Sequence, residues 1–293
     1  RDRSPSRGLG DVYKRQFPSY AGQTFERWFR KHEEARQESF DRHVSFFHGC
    51  YINYNYPDLG KDLVHVLNAL GYGVHLLERE KCCGVALIAN GLYDQARRQA
   101  LTNMESIRRS VTGERRPVIV ASSTCTFTMR DEYPHVLGVG NEDVRDGIDL
   151  VTRFVYRIID SGEARLRFRD DVRMKAAYHT ACHMERLGWS CYSIALLRMI
   201  PTLELTLLPS QCCGIAGTYG FKKENYAASQ GIGAPLFRTI EQTDAEWVVT
   251  ECETCKWQIE MSTSRRVLHP ISVLARMLDL EGTAGLNNRK TAR

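Results

Sequence analysis

Residues 247–255 read WVVTECETC, a short apolar strand followed directly by a turn that carries two cysteines. Residues 118–125, VIVASSTC, have the same form, with a serine where the later segment has its first cysteine. A short apolar run bounded by turn residues is typical of a strand buried in a sheet. The two segments therefore predict a strand-and-turn unit that occurs twice, with cysteine at the end of the strand.

Nine of the ten cysteines follow a pattern that is repeated along the chain. Each copy has a lone cysteine, an adjacent Cys-Cys-Gly, and the turn described above. The first copy comprises Cys50, Cys82, Cys83, Gly84 and Cys125, and the second comprises Cys182, Cys212, Cys213, Gly214, Cys252 and Cys255. Equivalent cysteines lie 130 to 132 positions apart, which indicates an internal duplication. The tenth, Cys191, lies on the apolar face of a predicted helix and is expected to be a small buried hydrophobe.

Short apolar strands alternate with helical stretches in the same order in both halves. Strands are predicted over 44–47, 74–77, 118–121, 175–178, 203–208 and 247–250, each before a cysteine group. Such alternation predicts parallel pairing, and ligands of open α/β sheets collect beyond the carboxyl ends of the strands. The expected fold class is α/β, with two tandem pseudo-symmetric cysteine-rich domains whose short parallel sheets are flanked by helices.

The duplication also predicts the domain boundaries. The first cysteine-rich domain is expected over 43–165 and the second over 166–281, preceded by a linker helix over 17–42. Residues 1–16 lack apolar periodicity and resemble a non-native adaptor segment, which we exclude from the fold. Residues 282–293 are polar and contain glycine, so they are expected to be disordered.

The composition is that of an ordinary globular protein. The 293 residues are 43% hydrophobic and 26% charged, with a formal net charge of +5. No apolar run approaches the roughly 18 residues of a transmembrane segment, so a protein of the reducing cytosol is expected. There, cysteines at motif-like spacing indicate metal ligands or redox groups rather than disulfides. No basic stripe with interleaved aromatic residues indicates a nucleic-acid partner.

The five cysteines of the second half favour an iron–sulfur cluster. They are Cys182, Cys212, Cys213, Cys252 and Cys255, one more than the four ligands of a structural zinc ion. Adjacent cysteines tend to diverge and suit two different metal atoms, and thiolates are the soft ligands that zinc and iron–sulfur clusters prefer. Structural zinc and a catalytic dithiol–disulfide stay open as alternatives.

The first half differs from the second at one position, because Ser122 stands where Cys252 is expected by the repeat. Four thiols are left: Cys50, Cys82, Cys83 and Cys125. This site could hold a cluster with one ligand fewer, hold zinc, or be a degenerate scaffold with no metal.

Histidines and glycines flank the cysteines in both copies. His48, His179 and His183 could tune a cluster through hydrogen bonds to sulfur, relay protons, or serve as ordinary structural residues. Gly84 and Gly214 are expected to let the backbone turn tightly and approach the inorganic core without an intervening Cβ atom.

The wording of the sequence around the cysteines resembles a known family. The matching segments are FHGCYINYN (47–55), EKCCGVALIANG (80–91), SSTCTF (122–127), YHTACHME (178–185), QCCGIAGTYGFKKENY (211–226) and CETCKWQIEMSTS (252–264). They resemble the CCG cysteine-rich domains of the heterodisulfide reductases and of related quinone-linked oxidoreductases. Within that family they are similar to the iron–sulfur subunits of anaerobic glycerol-3-phosphate dehydrogenases.

The resemblance implies an iron–sulfur electron-transfer subunit that is itself not catalytic. It implies a non-cubane [4Fe-4S] cluster on the five cysteines of the second half, the two flavoprotein dehydrogenase subunits as partners, and menaquinone as electron acceptor. It also implies peripheral attachment at the cytoplasmic face of the bacterial inner membrane. Family members carry an N-terminal ferredoxin-like region whose cysteine runs do not occur here, so a fragment of a longer protein is expected.

Two other functions stay open from the sequence. In one, the chain is a thiol–disulfide or quinone reductase that acts at its own non-cubane cluster. In the other, the chain is a zinc-stabilised scaffold protein. Turnover by the isolated chain would indicate the first function, and zinc in place of iron would indicate the second.

Overall fold

The computed structural model describes residues 18–287. The predicted adaptor segment, residues 1–16, lies outside the described residues, as do residues 288–293. Every helix within the described part is too short or too polar to cross a lipid bilayer.

Strands and helices alternate along the described part of the chain. The strands are β1 (Arg42–Phe47), β2 (Tyr72–Leu76), β3 (Val118–Val120), β4 (Ile148–Leu150), β5 (Met174–Tyr178), β6 (Leu203–Leu207), β7 (Trp247–Val249) and β8 (Arg266–Leu268). The helices are α1 (Phe25–His32), α2 (Glu34–Gln37), α3 (Gly49–Tyr54), α4 (Pro57–Ala69), α5 (Val85–Ile88), α6 (Tyr93–Arg108), α7 (Ser123–Phe127), α8 (Tyr133–His135), α9 (Val151–Asp160), α10 (Cys182–Leu187), α11 (Ser190–Arg198), α12 (Tyr226–Gln242), α13 (Glu253–Ser262), α14 (Pro270–Met277) and α15 (Leu280–Asn287).

The strands form two parallel sheets of the same topology. The first has the order β2-β1-β3-β4 and the second the order β6-β5-β7-β8. Val44 of β1 pairs with Val74 of β2, and Phe46 pairs with Ile119 of β3. Continuous apolar strands of this kind are expected where helices cover both faces of a parallel sheet. The predicted α/β class with two repeated units is confirmed.

The two halves exchange helices. Helix α9 follows the last strand of the first sheet but packs on α11 of the second half. Helix α14 follows the last strand of the second sheet but packs on α4 of the first half. One apolar core therefore runs through both halves, with Leu63 and Leu67 of α4 and Leu274 of α14 among its fully buried members. Each half stabilises the other by completing its apolar core.

The segment expected to be a linker helix over 17–42 has a different structure. It contains two short helices, α1 and α2, and then enters β1. Phe25 and Phe29 of α1 are fully buried, and the ring of Phe25 contacts that of Phe46 at a centroid distance of 5.5 Å. Because α1 buries these two aromatic side chains in the first half, the segment is part of that domain.

The expectation of disorder over 282–293 is wrong for residues 282–287, which belong to helix α15. Thr283 is fully buried, and its hydroxyl accepts a hydrogen bond from the backbone amide of Arg167 at 3.1 Å. The side-chain amide of Asn287 donates to the carbonyl oxygens of Ala69 and Arg165, at 3.2 and 2.8 Å. These long-range contacts order a segment whose local composition is typical of a flexible tail.

Candidate functional site: a two-part thiol centre

Nine cysteines line one cavity of about 580 Å³ between the two halves. Each cysteine follows the carboxyl end of a strand, as in other open α/β sheets whose ligands bind where the strand order reverses. Here the reversal lies between β1 and β3 in the first sheet and between β5 and β7 in the second. The fold thus brings together side chains that are more than 200 residues apart, such as Cys50 and Cys255.

In the second half, three chain segments bring the five cysteines to the cavity. Cys182 begins α10, Cys212 and Cys213 follow β6, and Cys252 and Cys255 follow β7. The sulfur atoms of Cys213 and Cys255 are 3.2 Å apart. The thiol sulfur of Cys252 caps α13 by accepting the backbone amide of Cys255 at 3.4 Å. Cys213, Cys252 and Cys255 are buried, whereas Cys182 and Cys212 are exposed.

In the first half, four cysteines reach the same cavity from the equivalent segments. Cys50 lies in α3, Cys82 and Cys83 follow β2, and Cys125 lies in α7. The sulfur atoms of Cys50 and Cys82 are 3.7 Å apart. Gly49 has a φ of +67°, and a Cβ atom there would lie 3.7 Å from the sulfur of Cys125.

Hydrogen bonds between neighbouring thiols lower the pKa of one cysteine in each half. Donation from Cys50 lowers the pKa of Cys82 to about 3, and donation from Cys212 and then Cys255 holds the pKa of Cys213 well below its usual range. The partners show the opposite change, because donation to a thiolate raises the pKa of both Cys50 and Cys212. Each half can therefore hold a thiolate without a cationic side chain beside it.

The glycines that follow the paired cysteines have different surroundings. Gly84 and Gly214 have φ values of +93° and +84°, so the predicted tight turn is confirmed. The reason given for the absence of a Cβ atom is wrong, however. A Cβ atom at Gly214 would lie 2.0 Å from the carbonyl oxygen of Ser229 in α12, while one at Gly84 would lie 3.6 Å from Ala96 in α6. Both glycines approach a helix rather than the cavity.

His179 differs from the other two predicted histidines. Its side chain is 1% exposed and lines the cavity, and both ring nitrogens lack a hydrogen-bond partner among residues 18–287. Burial lowers its pKa, which favours the neutral ring. A buried polar ring without partners is uncommon because it loses its hydrogen bonds to water.

His183 and His48 are held by protein groups. The Nδ1 atom of His183 lies 3.0 Å from the hydroxyl of Thr124, and its ring stacks on Phe127 at a centroid distance of 5.0 Å. The Nδ1 atom of His48 lies 3.0 Å from the carbonyl oxygen of Gly49. All three histidines line the cavity, as does the lone cysteine that each of them precedes or follows.

The sequence analysis missed Glu80, which shapes the turn before Cys50. Its carboxylate accepts the backbone amides of His48 at 3.1 Å and Gly49 at 2.7 Å. Burial raises the pKa of Glu80 well above its usual range. Its place directly before Lys81 and Cys82 is a signal that could have identified it.

Two further carboxylates were missed, and both lie in the turn that carries Cys252. Glu251 is fully buried and accepts a hydrogen bond from the hydroxyl of Tyr178 at 2.9 Å. Glu253 accepts a hydrogen bond from the hydroxyl of Ser122 in the other half, at 2.7 Å. Burial raises the pKa of each carboxylate to about 7. Adjacent acidic residues in a cysteine turn are visible in the sequence, but their direction across the domain boundary is not.

Cys191 is exposed, so its predicted burial is wrong. It lies in α11, which buries Leu196 and Leu197 in the core. Cys191 is on the solvent side of the same helix, because the first turn of α11 is only partly covered by its neighbours.

The donor set fits an iron–sulfur cluster. Thiolates are its usual protein ligands, and each thiolate binds its own iron atom, so the sulfur atoms need not surround a single point. No three His, Cys, Asp or Glu side chains of residues 18–287 are arranged as ligands of one metal ion. Buried thiols also exclude water from the ligand atoms, which sets the electrostatic environment of a bound cluster.

A duplicated doubly wound α/β unit with cysteines at the carboxyl ends of its strands defines a class of cysteine-rich domain proteins. A family model described as "Cysteine-rich domain", CCG, matches residues 44–130 and 176–260, one match in each half. The chain therefore belongs to the CCG cysteine-rich domain family.

Several curated proteins are similar to the chain. The C subunit of anaerobic glycerol-3-phosphate dehydrogenase from Escherichia coli K12 is 59% identical over 266 residues, 91% of this chain. This chain spans 66% of the length of that relative. Lactate utilization protein A of Anoxybacillus flavithermus is 30% identical over 79% of the chain and 98% of its own length. The B subunit of fumarate reductase (CoM/CoB) from Methanothermobacter marburgensis is 27% identical over 79% of the chain and 44% of its own length.

Proposed function

We propose that the chain is the iron–sulfur electron-transfer unit of an anaerobic glycerol-3-phosphate dehydrogenase. The observation that carries the proposal is the meeting of five cysteines from three segments in the second half, with two sulfur atoms 3.2 Å apart. The 59% identity to one component of that enzyme supports the substrate of the complex.

The five cysteines Cys182, Cys212, Cys213, Cys252 and Cys255 are the proposed ligands of the cluster. When bound, an iron–sulfur cluster supplies one-electron transfer at a potential set by charge, burial and hydrogen bonds to sulfur. The chain contributes an apolar, mostly buried ligand set and His179, whose unpartnered ring nitrogens can donate to a sulfur atom or accept from water. The exposed Cys182 and Cys212 lie at the side from which electrons enter or leave.

The proposed partners are the two flavoprotein dehydrogenase subunits as electron donors and menaquinone as electron acceptor. Glycerol 3-phosphate would be oxidised on the flavoprotein, and the chain would not turn over substrate itself. Peripheral attachment at the cytoplasmic face of the inner membrane is part of the same proposal. The printed name of the Escherichia coli relative supports an assembly of several different chains, because it names one lettered component of a dehydrogenase.

A second function is favoured by the shape of the site. The cavity of about 580 Å³ has room for a small molecule beside the exposed Cys182 and Cys212. In this alternative, the chain reduces a disulfide or a quinone at its own cluster. The relative from Methanothermobacter marburgensis, whose name includes a fumarate reductase activity, is consistent with such catalysis within the family.

Anaerobic reconstitution of the whole chain tests these functions. Iron, sulfide and zinc are counted per chain, an EPR spectrum is recorded, and the Cys212→Ser, Cys213→Ser double variant is compared with Cys191→Ser as the matched control. Iron and sulfide that depend on Cys212 and Cys213 support the cluster, and zinc without sulfide overturns it. Turnover of a disulfide or a menaquinone analogue by the isolated chain would replace the electron-transfer proposal with the second function.

A further inference from the structure

The cysteine turns of the two halves face each other across the domain boundary. The backbone amide of Ser123 donates to the carbonyl oxygen of Glu251 at 3.0 Å. The hydroxyl of Thr124 lies 3.6 Å from the sulfur of Cys252. The two turns are therefore in direct contact, and a side chain of one turn can enter the thiol site of the other.

Ser122 occupies the structural position of Cys252. The hydroxyl of Ser122 caps α7 by accepting the backbone amide of Cys125 at 3.2 Å, just as the sulfur of Cys252 caps α13 by accepting that of Cys255 at 3.4 Å. Both capping residues have extended backbone angles. The first half thus has a neutral hydroxyl where the second half has a thiol that can become an anionic ligand.

Glu253 brings an anionic group to the place where the first half lacks one. Its counterpart in the first turn is Ser123, so the second half has Cys252 with a serine opposite, and the first half has Ser122 with a carboxylate opposite. The hydroxyl of Ser122 donates to that carboxylate at 2.7 Å. Each of the two related places therefore has one group that can bind a metal ion as an anion.

The surroundings of Glu253 favour a cation near it. The carboxylate lines the cavity and lies close enough to Cys50, Cys82 and Cys125 to interact with them electrostatically. No Lys, Arg or His of residues 18–287 forms an ion pair with Glu253. A half-buried carboxylate among thiols is costly unless a positive charge compensates it.

We propose that Glu253 is an oxygen ligand, donated across the domain boundary, to an iron of a second centre held by Cys50, Cys82, Cys83 and Cys125. Ser122 orients the carboxylate by its hydrogen bond. This inference rests on the proposed iron–sulfur function and extends it to the first half. The first site is then a mixed site of four thiolates and one carboxylate, and it is complete only when both halves are packed together.

The test uses the whole chain reconstituted anaerobically with ⁵⁷Fe, with iron and sulfide content and Mössbauer spectra as readouts. The component removed by Cys82→Ser, Cys83→Ser defines the first site, and that removed by Cys212→Ser, Cys213→Ser defines the second. Glu253→Gln is expected to remove about half or more of the first-site iron and to leave the second-site component unchanged. Glu185→Gln is the matched control, because Glu185 also lines the cavity but bonds to Ser210 in the second half.

Ser122→Cys provides a test that does not remove the carboxylate. It should replace the oxygen-ligated first-site component by an all-sulfur one, and in the Glu253→Gln background it should restore the iron content. The inference is overturned if both variants leave the first-site spectrum unchanged, if no iron depends on Cys82 and Cys83, or if zinc occupies that site. A missing second-site component would instead overturn the proposed function, so the two failures are distinguishable.

Discussion

The first and second halves of the chain have the same sheet order and the same placement of cysteines, yet their sites differ in donor chemistry. The second half has five thiols, and the first has four with Ser122 and the facing Glu253. The backbone geometry at the two capping positions is similar although one residue is a serine and the other a cysteine. The comparison shows that a duplicated fold can keep its scaffold while one ligand position changes its chemistry.

Removing the paired cysteines should give the largest effect and should separate the halves. Cys212→Ser, Cys213→Ser is expected to abolish the second-half cluster, since it removes two of five ligands, and to leave the iron of the first half bound. Cys82→Ser, Cys83→Ser should have the converse effect. Iron counts and EPR spectra check both. Loss of all iron from either variant alone would show that the two sites do not bind independently.

Alanine at the glycine after each cysteine pair should distinguish the halves by stability. Gly84→Ala keeps an open space of 3.6 Å to Ala96 and should cost about 1–2 kcal/mol for the positive φ. Gly214→Ala places a Cβ atom 2.0 Å from the carbonyl oxygen of Ser229 and should cost more than about 3 kcal/mol. Urea unfolding of the two metal-free variants measures the difference. Equal costs would mean that α12 moves away readily.

His269 should make stability depend on pH through a contact between the halves. Its Nε2 atom lies 2.9 Å from the carbonyl oxygen of Ala121, its Nδ1 atom accepts the amide of Ile271, and burial lowers its pKa to about 4. The folded protein therefore binds fewer protons than the unfolded chain between about pH 6.5 and 4. The free energy of unfolding should fall as the pH decreases through this range, by about 2 kcal/mol between pH 7 and 5.

Urea unfolding of the wild type and of His269→Gln at both pH values checks this expectation. The variant should be less stable at pH 7 and should lose much of the pH dependence. The same dependence in both proteins would assign it to other groups. The first half offers a contrast, because β4 is followed by Val151 rather than by a histidine.

Cys191→Ser should have the smallest effect. Because Cys191 is exposed and lies outside both thiol sites, its replacement should change the free energy of unfolding by less than about 0.5 kcal/mol. Iron content should be unchanged. A larger change would indicate that Cys191 contributes to the core after all.

Local patterns predicted the six strands that precede cysteines, since each is a short apolar run with a turn after it. The strands β4 (Ile148–Leu150) and β8 (Arg266–Leu268) were not predicted, because three residues at a sheet edge give little periodic signal. Helix α15 was missed for a different reason. Its order comes from Thr283 and Asn287 bonding to distant backbone groups, which composition does not reveal.

The convergence of the thiols could also be predicted, because parallel strands present their carboxyl ends at one edge of a sheet. The single cavity shared by both sites could not be predicted from the repeat. It depends on how the halves pack, and the exchange of α9 and α14 between them determines that packing. Glu80, Glu251 and Glu253 were missed because a carboxylate beside a cysteine in the sequence carries no sign of the direction in which it points.

The sequence by itself determined the duplication, the α/β class and the number and kind of potential ligands in each half. These follow from residue identity and from periodicity, which act over a few residues. Only the tertiary structure decided that Glu253 of one half meets Ser122 of the other, that His179 lacks a partner among residues 18–287, and that Gly214 approaches a helix. Those contacts depend on the packing of an apolar core that both halves share, and so on long-range burial that no local pattern encodes.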